Sequence, residues 1–361
     1  MILSSISAYG FRNCAAQNLR FGAGLHVLFG TNAQGKTNWM EAMFCLASGR
    51  SFRNVEDTTL CAVGAPGYAL SGEVLRGQET LRLRANYDRE KKRRSVELNG
   101  APLRRVLELW AEVQAVAFTP ADSQLVKGAP FFRRQFLNRF LCQTPGLYRF
   151  RLLRYSQALR QRNALLKRLR RGERAEGLDL WDAVYLEFGQ PLVEARQAIV
   201  ERLQQQVNEV YRRLSAGPKP VQIGYKPSSP NLAEELPRMR TREIAAGLSL
   251  LGPHLDDLTV TLDGKDARLF SSEGEARTLA LALRLAEYSV LQEQSGEAPL
   301  LFLDDALSEL DRERQGALLR MLVSLPQAFL TSASSAEILQ GEEGQRLYVR
   351  AGQIRETDGT G

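Results

Sequence analysis

The chain has 361 residues, 44% of them hydrophobic and 25% charged, which is typical of a globular protein and long enough for two lobes. No apolar run reaches the length of a membrane span, and the polar start lacks the apolar core of a secretory signal, so we expect a cytoplasmic protein without membrane contact. The four cysteines have no C-x-x-C spacing and the chain has two histidines, which argues against a zinc site. The formal net charge is +7, so the position of the charge matters more than its size.

The first distinctive motif follows a short apolar run. Residues 25–29 are typical of a buried strand, and residues 30–37 read Gly-Thr-Asn-Ala-Gln-Gly-Lys-Thr, the G-x-x-x-x-G-K-[ST] pattern of a phosphate-binding loop. In such a loop the backbone N–H groups face phosphate oxygens, Lys36 reaches the β- and γ-phosphates, and Thr37 offers its hydroxyl to Mg²⁺. A helix can begin at residue 38, and its N-terminal end favours an anion. This order predicts ATP or GTP binding; an accidental glycine turn is the alternative.

The next hundred residues are rich in strand patterns. Apolar and polar residues alternate over residues 68–76 and 79–87, and residues 94–98 precede Asn99-Gly100, a tight-turn pair. An antiparallel sheet is therefore predicted here, followed by a further strand over residues 113–118. From about residue 122 the apolar spacing becomes helical and continues to residue 214.

The basic residues are concentrated in this helical region. Residues 149–174 contain ten Lys or Arg and one acid, and the rest of the chain has 38 basic and 40 acidic residues. A solvated helix face is the ordinary explanation of a charge run, but the near absence of acids favours contact with a phosphate backbone. We expect salt-sensitive, sequence-independent DNA binding. The predicted DNA-contacting residues are Arg160, Arg162, Lys167, Arg168, Arg170 and Arg171.

A second acidic motif lies near the other end of the chain. Residues 299–303 form an apolar run that ends in Asp304-Asp305; Asp304 would hold Mg²⁺ and Asp305 would orient or deprotonate the attacking water. A helix-capping Asp after a buried strand is the alternative. Lys36 and Asp304 are 268 positions apart, which predicts a nucleotide-binding lobe built from both ends of the chain. We expect this lobe to comprise residues 1–120 and 245–361, with a helical lobe of residues 121–244 inserted between them. A Pro/Gly/Ser-rich stretch at 217–230 marks a boundary after the long helical region.

Two further motifs flank this acidic strand. Ser272 and Glu275 have the spacing of a capping box at the start of a long helix, which is compatible with an anion site at the same position. Residues 308–311 read Ser-Glu-Leu-Asp and would lie near the Mg²⁺ carboxylates, with a simple turn and helix cap as the alternative.

The order of these motifs resembles the ABC-type ATPase heads of the SMC class. Within that class the chain is similar to the RecF family over nearly its whole length. The matching segments are residues 11–13 (Phe-Arg-Asn), 30–37, 133–137, 161–167, 252–254 with 256–257, and 303–305. The resemblance implies an α/β fold, with an ABC-type P-loop ATPase lobe, an N-terminal antiparallel β region and an inserted, mainly helical lobe.

The resemblance also implies function and site residues. It implies a slow, DNA-stimulated ATPase of recombinational repair, replication and the response to DNA damage. ATP with Mg²⁺ would drive homodimerisation, and the dimer would bind double-stranded DNA near gaps and help RecO and RecR load RecA. The implied ATP-binding residues are Arg12, Asn13, Gly30, Asn32, Gly35, Lys36, Thr37 and Asn38. Ser272, Gly274, Glu275 and Asp311 would approach the ATP of the second subunit.

The sequence departs from the family pattern at several positions. Glu275 stands where Gln is usual, and Leu255 replaces an expected Arg. Residues 329–332 contain no switch histidine, so Thr331 or Ser332 would sense the γ-phosphate. Two glutamines, Gln114 and Gln124, are candidates for the lid glutamine.

The sequence lacks features that other classes of ATPase would need. A helicase or nuclease-linked ATPase would need a second motor core or a further carboxylate cluster, and neither is visible. An ATPase subunit of a transporter or of an SMC-like complex is the alternative, although the basic insertion and the missing switch histidine argue against the transporter.

Overall fold

The computed structural model describes residues 1–215, 219–308, 310–333 and 344–356. The chain divides into a first unit, Met1–Ser123 with Glu209–Pro218 and Ser272–Gly361, and a second unit, Gln124–Asn208 with Lys219–Ser271. The first junction lies three residues from the predicted one, but the second lies at 271/272 instead of 244/245. The difference arises because the strands between residues 221 and 266 pair with one another in a separate sheet.

The elements follow the predicted change from strands to helices. The strands are β1 (Ile2–Tyr9), β2 (Gln17–Arg20), β3 (Gly24–Phe29), β4 (Gly67–Arg76), β5 (Glu79–Asp88), β6 (Arg93–Leu98), β7 (Ala101–Pro102), β8 (Ala115–Phe118), β9 (Val221–Lys226), β10 (Asp257–Leu262), β11 (Lys265–Asp266), β12 (Leu300–Leu303), β13 (Gln327–Ser332), β14 (Gln345–Arg350) and β15 (Gln353–Glu356). The α-helices are α1 (Lys36–Ser48), α2 (Asp57–Leu60), α3 (Val106–Glu112), α4 (Gln124–Lys127), α5 (Pro130–Gln143), α6 (Tyr148–Arg170), α7 (Leu178–Leu214), α8 (Leu232–Ala246), α9 (Ala267–Phe270), α10 (Glu273–Ser295) and α11 (Arg312–Val323).

The antiparallel sheet of the first unit has the order β2-β1-β4-β5-β6-β7. The predicted strands over residues 68–98 are confirmed, since β4, β5 and β6 pair antiparallel in succession. Asn99 and Gly100 both have positive φ, 51° and 80°, as a type I′ hairpin turn requires. The alternating pattern therefore encodes this sheet locally.

A second sheet of the first unit has the order β15-β14-β3-β13-β12-β8. Strands β14, β3, β13, β12 and β8 are parallel neighbours, and β15 pairs antiparallel at the edge. The side chains of β8, β12 and β13 are buried throughout, as expected for parallel strands covered on both faces. Because parallel strands end at the same edge, the segments after β3, β12 and β13 come together there.

Helix α1 packs against strands of both sheets of the first unit. Its residues from Trp39 to Ser48 are buried, so the helix is apolar around most of its circumference. Trp39 Nε1 donates a hydrogen bond to the backbone oxygen of Gly352 at 2.6 Å. The helix that follows the phosphate-binding loop is thus held rigidly at its first turn.

The second unit contains α4 to α6, α7 as far as Asn208, α8, α9 and a sheet of order β11-β10-β9. Its interior is unusually polar. Arg196 is 2% exposed and donates to Tyr148 Oη at 3.0 Å and to Asp256 Oδ2 at 3.3 Å. Arg133 forms a bidentate pair with Asp257 at 2.7 and 3.0 Å. Several matching segments of the sequence, including 133–137 and 256–257, therefore build this core.

His254, whose role the sequence leaves open, also belongs to that core. Its Nδ1 lies 2.7 Å from Tyr155 Oη, which in turn donates to Tyr185 Oη at 2.9 Å. Burial lowers the pKa of His254. The neighbouring Leu255, which replaces an expected Arg, is 44% exposed.

Among the described residues, no helix combines the length and the apolar character that crossing a bilayer requires.

Candidate nucleotide-binding site

The phosphate-binding loop joins β3 to α1 in a conformation that depends on two glycines. Gly30 has φ of 145°, and a Cβ there would lie 2.4 Å from the backbone oxygen of Val349. Gly35 has φ of 108° at the start of α1. Lys36 Nζ donates to the backbone oxygens of Gly30 and Thr31 at 2.7 and 2.9 Å. The lysine ammonium therefore lies over its own loop, where it can reach an anion held by the backbone N–H groups.

The two aspartates that follow β12 lie beside this loop. Asp304 Oδ1 accepts a hydrogen bond from Thr37 Oγ1 at 2.8 Å and a second from Thr331 Oγ1 at 2.8 Å. The backbone N–H of Asp305 donates to Thr331 Oγ1 at 2.9 Å. Asp305 has φ of 53°, a left-handed conformation that is uncommon for a residue other than glycine. The structure thus brings the two distant motifs into direct contact.

The electrostatics of the site favour a ligand that carries both signs of charge. Burial raises the pKa of Asp304, although the hydrogen bonds from Thr37 and Thr331 oppose the shift. Desolvation lowers the pKa of Lys36, and the nearby Asp305 and Asp304 oppose that shift. Each of the two charges is therefore incompletely compensated by the protein, and a cation at Asp304 with an anion at Lys36 would stabilise both ionised forms.

These groups line a cavity of about 370 Å³, within the size range of small-molecule sites. Its lining residues are Asn32, Ala33, Gly35, Lys36, Thr37, Asn38, Arg53, Pro120, Asp304, Asp305, Thr331 and Ala333. The structure therefore brings most of the predicted ATP-binding and catalytic residues together. Gly30 contributes the backbone oxygen that contacts Lys36, and Asn13 Oδ1 accepts a hydrogen bond from Asn38 Nδ2 at 2.7 Å.

A buried carboxylate behind the loop was not anticipated from the sequence. Glu41, in the second turn of α1, is 0% exposed and accepts from Arg12 at 3.0 and 3.3 Å, from Arg53 at 3.5 Å, and from Ser51. Arg53 also lines the cavity and lies 3.5 Å from Asn38 Oδ1. The sequence does contain a signal for this ion pair, namely an acidic residue within an otherwise apolar stretch of α1. A buried charge is nearly always paired, so such a residue predicts a basic partner.

The predicted signature residues lie at the start of α10. Ser272 and Glu275 form the complete capping box, with the Ser272 N–H donating to Glu275 Oε2 at 2.8 Å. The carboxylate that replaces the usual Gln therefore accepts a backbone hydrogen bond. Within the described part of the chain, a Cβ added at Gly274 would meet no heavy atom within 4 Å. Asp311 caps α11 by accepting from the Arg314 N–H at 3.0 Å.

These signature residues are not brought to the cavity. Ser272, Gly274, Glu275 and Asp311 are not among the described residues that line it. Glu309 of the Ser-Glu-Leu-Asp motif lies outside the described residues, as do residues 216–218 of the predicted boundary region.

The two candidate lid glutamines occupy different surroundings. Gln114 immediately precedes β8, at the end of the strand opposite to the cavity, and is 3% exposed. Its Oε1 accepts from Ser295 Oγ at 3.0 Å. Gln114 is therefore excluded as the lid residue, because β8 separates it from the edge where the aspartates lie. Gln124 begins α4 and is exposed.

One predicted DNA-contacting residue is wrong. Arg162 is 0% exposed and donates to Asp182 at 2.6 Å, Ser249 at 2.8 Å and Glu243 at 2.5 Å. The helical spacing places it on the same buried stripe of α6 as Tyr155, Ala158 and Leu166. It stabilises the second unit and is inaccessible to DNA.

The other predicted basic residues of this segment are exposed, namely Arg160, Lys167, Arg168, Arg170 and Arg171. Arg168 and Arg171 lie 3.1 and 3.9 Å from carboxylate oxygens of Glu173. Arg170 donates to the backbone oxygen of Ala246 at 3.2 Å. Such exposed ion pairs are weak, so these side chains remain available to a phosphate backbone.

The family described as RecF/RecN/SMC N terminal domain matches residues 2–355. A DNA replication and repair protein RecF from Moorella thermoacetica is 39% identical over 334 residues, covering 91% of this chain and 89% of the relative. The chain belongs to the RecF family. A second RecF, from Lachnoclostridium phytofermentans, is 33% identical and covers 96% of this chain and 97% of its own length.

Solved structures agree with this membership of the RecF family. The structure of the recombination mediator protein RecF-ATP in the RecFOR pathway has a TM-score of 0.90 at 28% identity, covering 99% of this chain and 97% of that one. The Smc head domain from Pyrococcus furiosus has a TM-score of 0.57 at 15% identity, covering 98% and 95%, which concerns the fold alone. The predicted fold class, an SMC-type ATPase head with a helical insertion, is thereby confirmed.

Proposed function

We propose that this chain is an ATP-controlled DNA-binding protein of recombinational repair and replication in the cytoplasm, which uses slow ATP hydrolysis as a switch. The observation that carries the proposal is the cavity at the end of the parallel sheet, where a phosphate-binding loop and two consecutive aspartates converge. Membership of the RecF family supports the DNA-repair role.

In this proposal different groups of the protein contact different parts of ATP. The backbone of the loop from Gly30 to Gly35 and the Lys36 ammonium bind the phosphates. Asn32 and Asn38 line the same cavity and would contact the phosphates or the ribose. Asn13 and Arg12 act from behind the loop, through Asn38 and Glu41 respectively.

The residues at the metal position fit Mg²⁺. Thr37 and Asp304 present a hydroxyl and a carboxylate 2.8 Å apart, which are the hard oxygen donors that this ion prefers beside phosphate. When bound, Mg²⁺ would neutralise charge on the phosphates. Asp305 lines the same cavity and would orient the attacking water or accept its proton.

The start of α10 supports the proposal that ATP drives dimerisation. Gly274 is the second residue of α10, and the described surroundings give no steric reason for a glycine there. The open helix start at Ser272 and Gly274 is a suitable surface for the γ-phosphate bound to a second copy. Glu275 and Asp311 would lie beside that phosphate in the dimer.

The exposed basic residues of α6 supply the DNA contact in this proposal. Their charge favours the phosphate backbone of double-stranded DNA without base readout. Binding near single-strand to double-strand junctions, and assistance to RecO and RecR in loading RecA on gapped DNA, complete the proposed role.

The test is fluorescence anisotropy of a labelled gapped duplex, titrated with and without ATP and Mg²⁺. Wild type is expected to bind tightly only with ATP, while Lys36→Met, which removes the phosphate contact, and Ser272→Arg, which obstructs the proposed dimer surface, fail. Sedimentation of the same samples is expected to show an ATP-dependent dimer for wild type alone. Binding that ignores the nucleotide would refute the switch.

The alternative is an ATPase subunit of another ABC-type assembly, a transporter or an SMC-like complex. DNA-stimulated hydrolysis separates the DNA-binding protein from the transporter subunit, because a transporter subunit has no reason to respond to a gapped duplex. The exposed basic side chains of α6 favour the DNA-binding protein.

A further inference from the structure

One buried hydroxyl links the two aspartates of the site. Thr331, near the end of β13, is 2% exposed. Its Oγ1 donates to Asp304 Oδ1 at 2.8 Å and accepts from the backbone N–H of Asp305 at 2.9 Å. A hydroxyl has one proton, so Thr331 can donate one hydrogen bond, and it donates that bond to the Asp304 carboxylate. The same oxygen accepts a hydrogen bond from Asp305, the residue that follows Asp304 in the chain.

The two hydrogen bonds act on groups with different proposed tasks. Asp304 Oδ1 is held from one side by Thr37 of the phosphate-binding loop and from the other by Thr331. The Asp305 N–H is held by Thr331 alone among the hydrogen bonds described for it. Thr331 therefore links the orientation of the Asp304 carboxylate to the backbone conformation of Asp305, which sets the direction of the Asp305 side chain.

The backbone at Asp305 needs such a contact. Its φ of 53° is disfavoured for an aspartate, and a left-handed residue persists only when its surroundings hold it. The hydrogen bond from its N–H to Thr331 attaches the turn to β13, a strand in the middle of the parallel sheet.

We propose that Thr331 is a positioning residue for ATP hydrolysis, whose hydroxyl fixes the Asp304 carboxylate and the Asp305 backbone in one arrangement. This inference rests on the proposed ATPase function and replaces the expectation that Thr331 senses the γ-phosphate. It also explains how the site functions with no histidine at the end of β13: the strand acts on the aspartates, not on the nucleotide.

The test compares Thr331→Val, which keeps the shape and removes the hydroxyl, with Thr331→Ser, which keeps the hydroxyl. Thr261→Val, a β-branched exchange in β10 of the second unit, is the control. Three quantities are measured: the kcat of ATP hydrolysis, the Kd of a fluorescent ATP analogue and of ADP, and amide hydrogen exchange of residues 300–308 in the nucleotide-free protein.

Thr331→Val is expected to lower kcat by about 10- to 100-fold, the effect of losing one hydrogen bond to a charged group. Its nucleotide Kd is expected to stay within about threefold of wild type, because the loop and Lys36 are untouched. Exchange at the Asp305 amide is expected to accelerate, since its acceptor is lost. Thr331→Ser should restore all three quantities, and Thr261→Val should change none.

Wild-type kcat in Thr331→Val would overturn the inference. The inference would also be overturned if Thr331→Val lost affinity for ATP but not for ADP and its amide exchange were unchanged. That is the result expected of a γ-phosphate sensor. Failure of the proposed function is distinguishable, because wild type would then neither bind nor hydrolyse ATP while the exchange difference in the nucleotide-free protein persisted.

Discussion

Replacing Arg162 by Met tests the difference between the buried and exposed arginines of α6. The guanidinium is 0% exposed and bonds to Asp182, Ser249 and Glu243. Met keeps most of the apolar stem but leaves Glu243, itself 0% exposed, without its cation. Removing one partner of a buried ion pair costs about 3–5 kcal/mol, against a total of roughly 5–15 kcal/mol for a domain. The partly exposed Asp182 adds less, because water can solvate it.

The assay is urea unfolding followed by circular dichroism, with a thermal melt in parallel. For a unit of this size the loss corresponds to a fall in Tm of roughly 6–20 °C. Arg160→Met is the matched control, two positions away on the same helix but exposed, and is expected to stay within about 0.5 kcal/mol of wild type. Arg160→Met should instead reduce the slope of log DNA affinity against log salt by about one phosphate contact.

A double variant, Arg162→Met with Glu243→Leu, removes both members of the pair. Apolar replacement of a buried pair is often nearly neutral, so the double variant should recover much of the lost stability. An Arg162→Met protein as stable as wild type, but with weakened DNA binding, would refute the reasoning and return Arg162 to the DNA surface.

Two further predictions concern other buried ionisable groups. Glu41→Gln leaves Arg12 and Arg53 without their carboxylate. Because both arginines are partly exposed, we expect the free energy of unfolding, measured in a thermal melt, to fall by about 1–3 kcal/mol. Nucleotide binding should also weaken, because Arg53 lines the cavity. Unchanged stability and affinity would contradict this role. Burial lowers the pKa of both histidines, His26 and His254, so the unfolded chain binds their protons first. The free energy of unfolding should therefore fall as pH drops from about 7 through the ordinary histidine range near 6.5. Urea unfolding at pH 7.5 and at pH 5.5 measures this fall for wild type and for His254→Gln. An equal loss of stability in the two proteins would contradict the prediction.

Features encoded within a short stretch of chain were predictable. The phosphate-binding loop is recognisable because its glycines and Lys36 act within eight residues, and the antiparallel strands because alternation and the Asn99-Gly100 turn are local. The capping box at Ser272 was predicted and observed for the same reason. The convergence of Lys36 with Asp304 was predictable only because the loop and the acidic strand form a known pair of motifs.

Other features depend on which surface covers a residue, and local pattern does not contain that information. Arg160 and Arg162 look alike in a basic helix, yet α7, α8 and the segment around Ser249 enclose only the second. Thr331 is 27 positions from Asp304, and only parallel pairing of β12 with β13 places its hydroxyl between the aspartates. The phosphate-binding loop, the strand and helix pattern and the location of the excess charge can be predicted from the amino-acid sequence alone, since they arise from neighbours along the chain. Which charges are buried, and which hydroxyl links the two aspartates, depends on the folded arrangement, because burial and hydrogen bonding depend on neighbours in space.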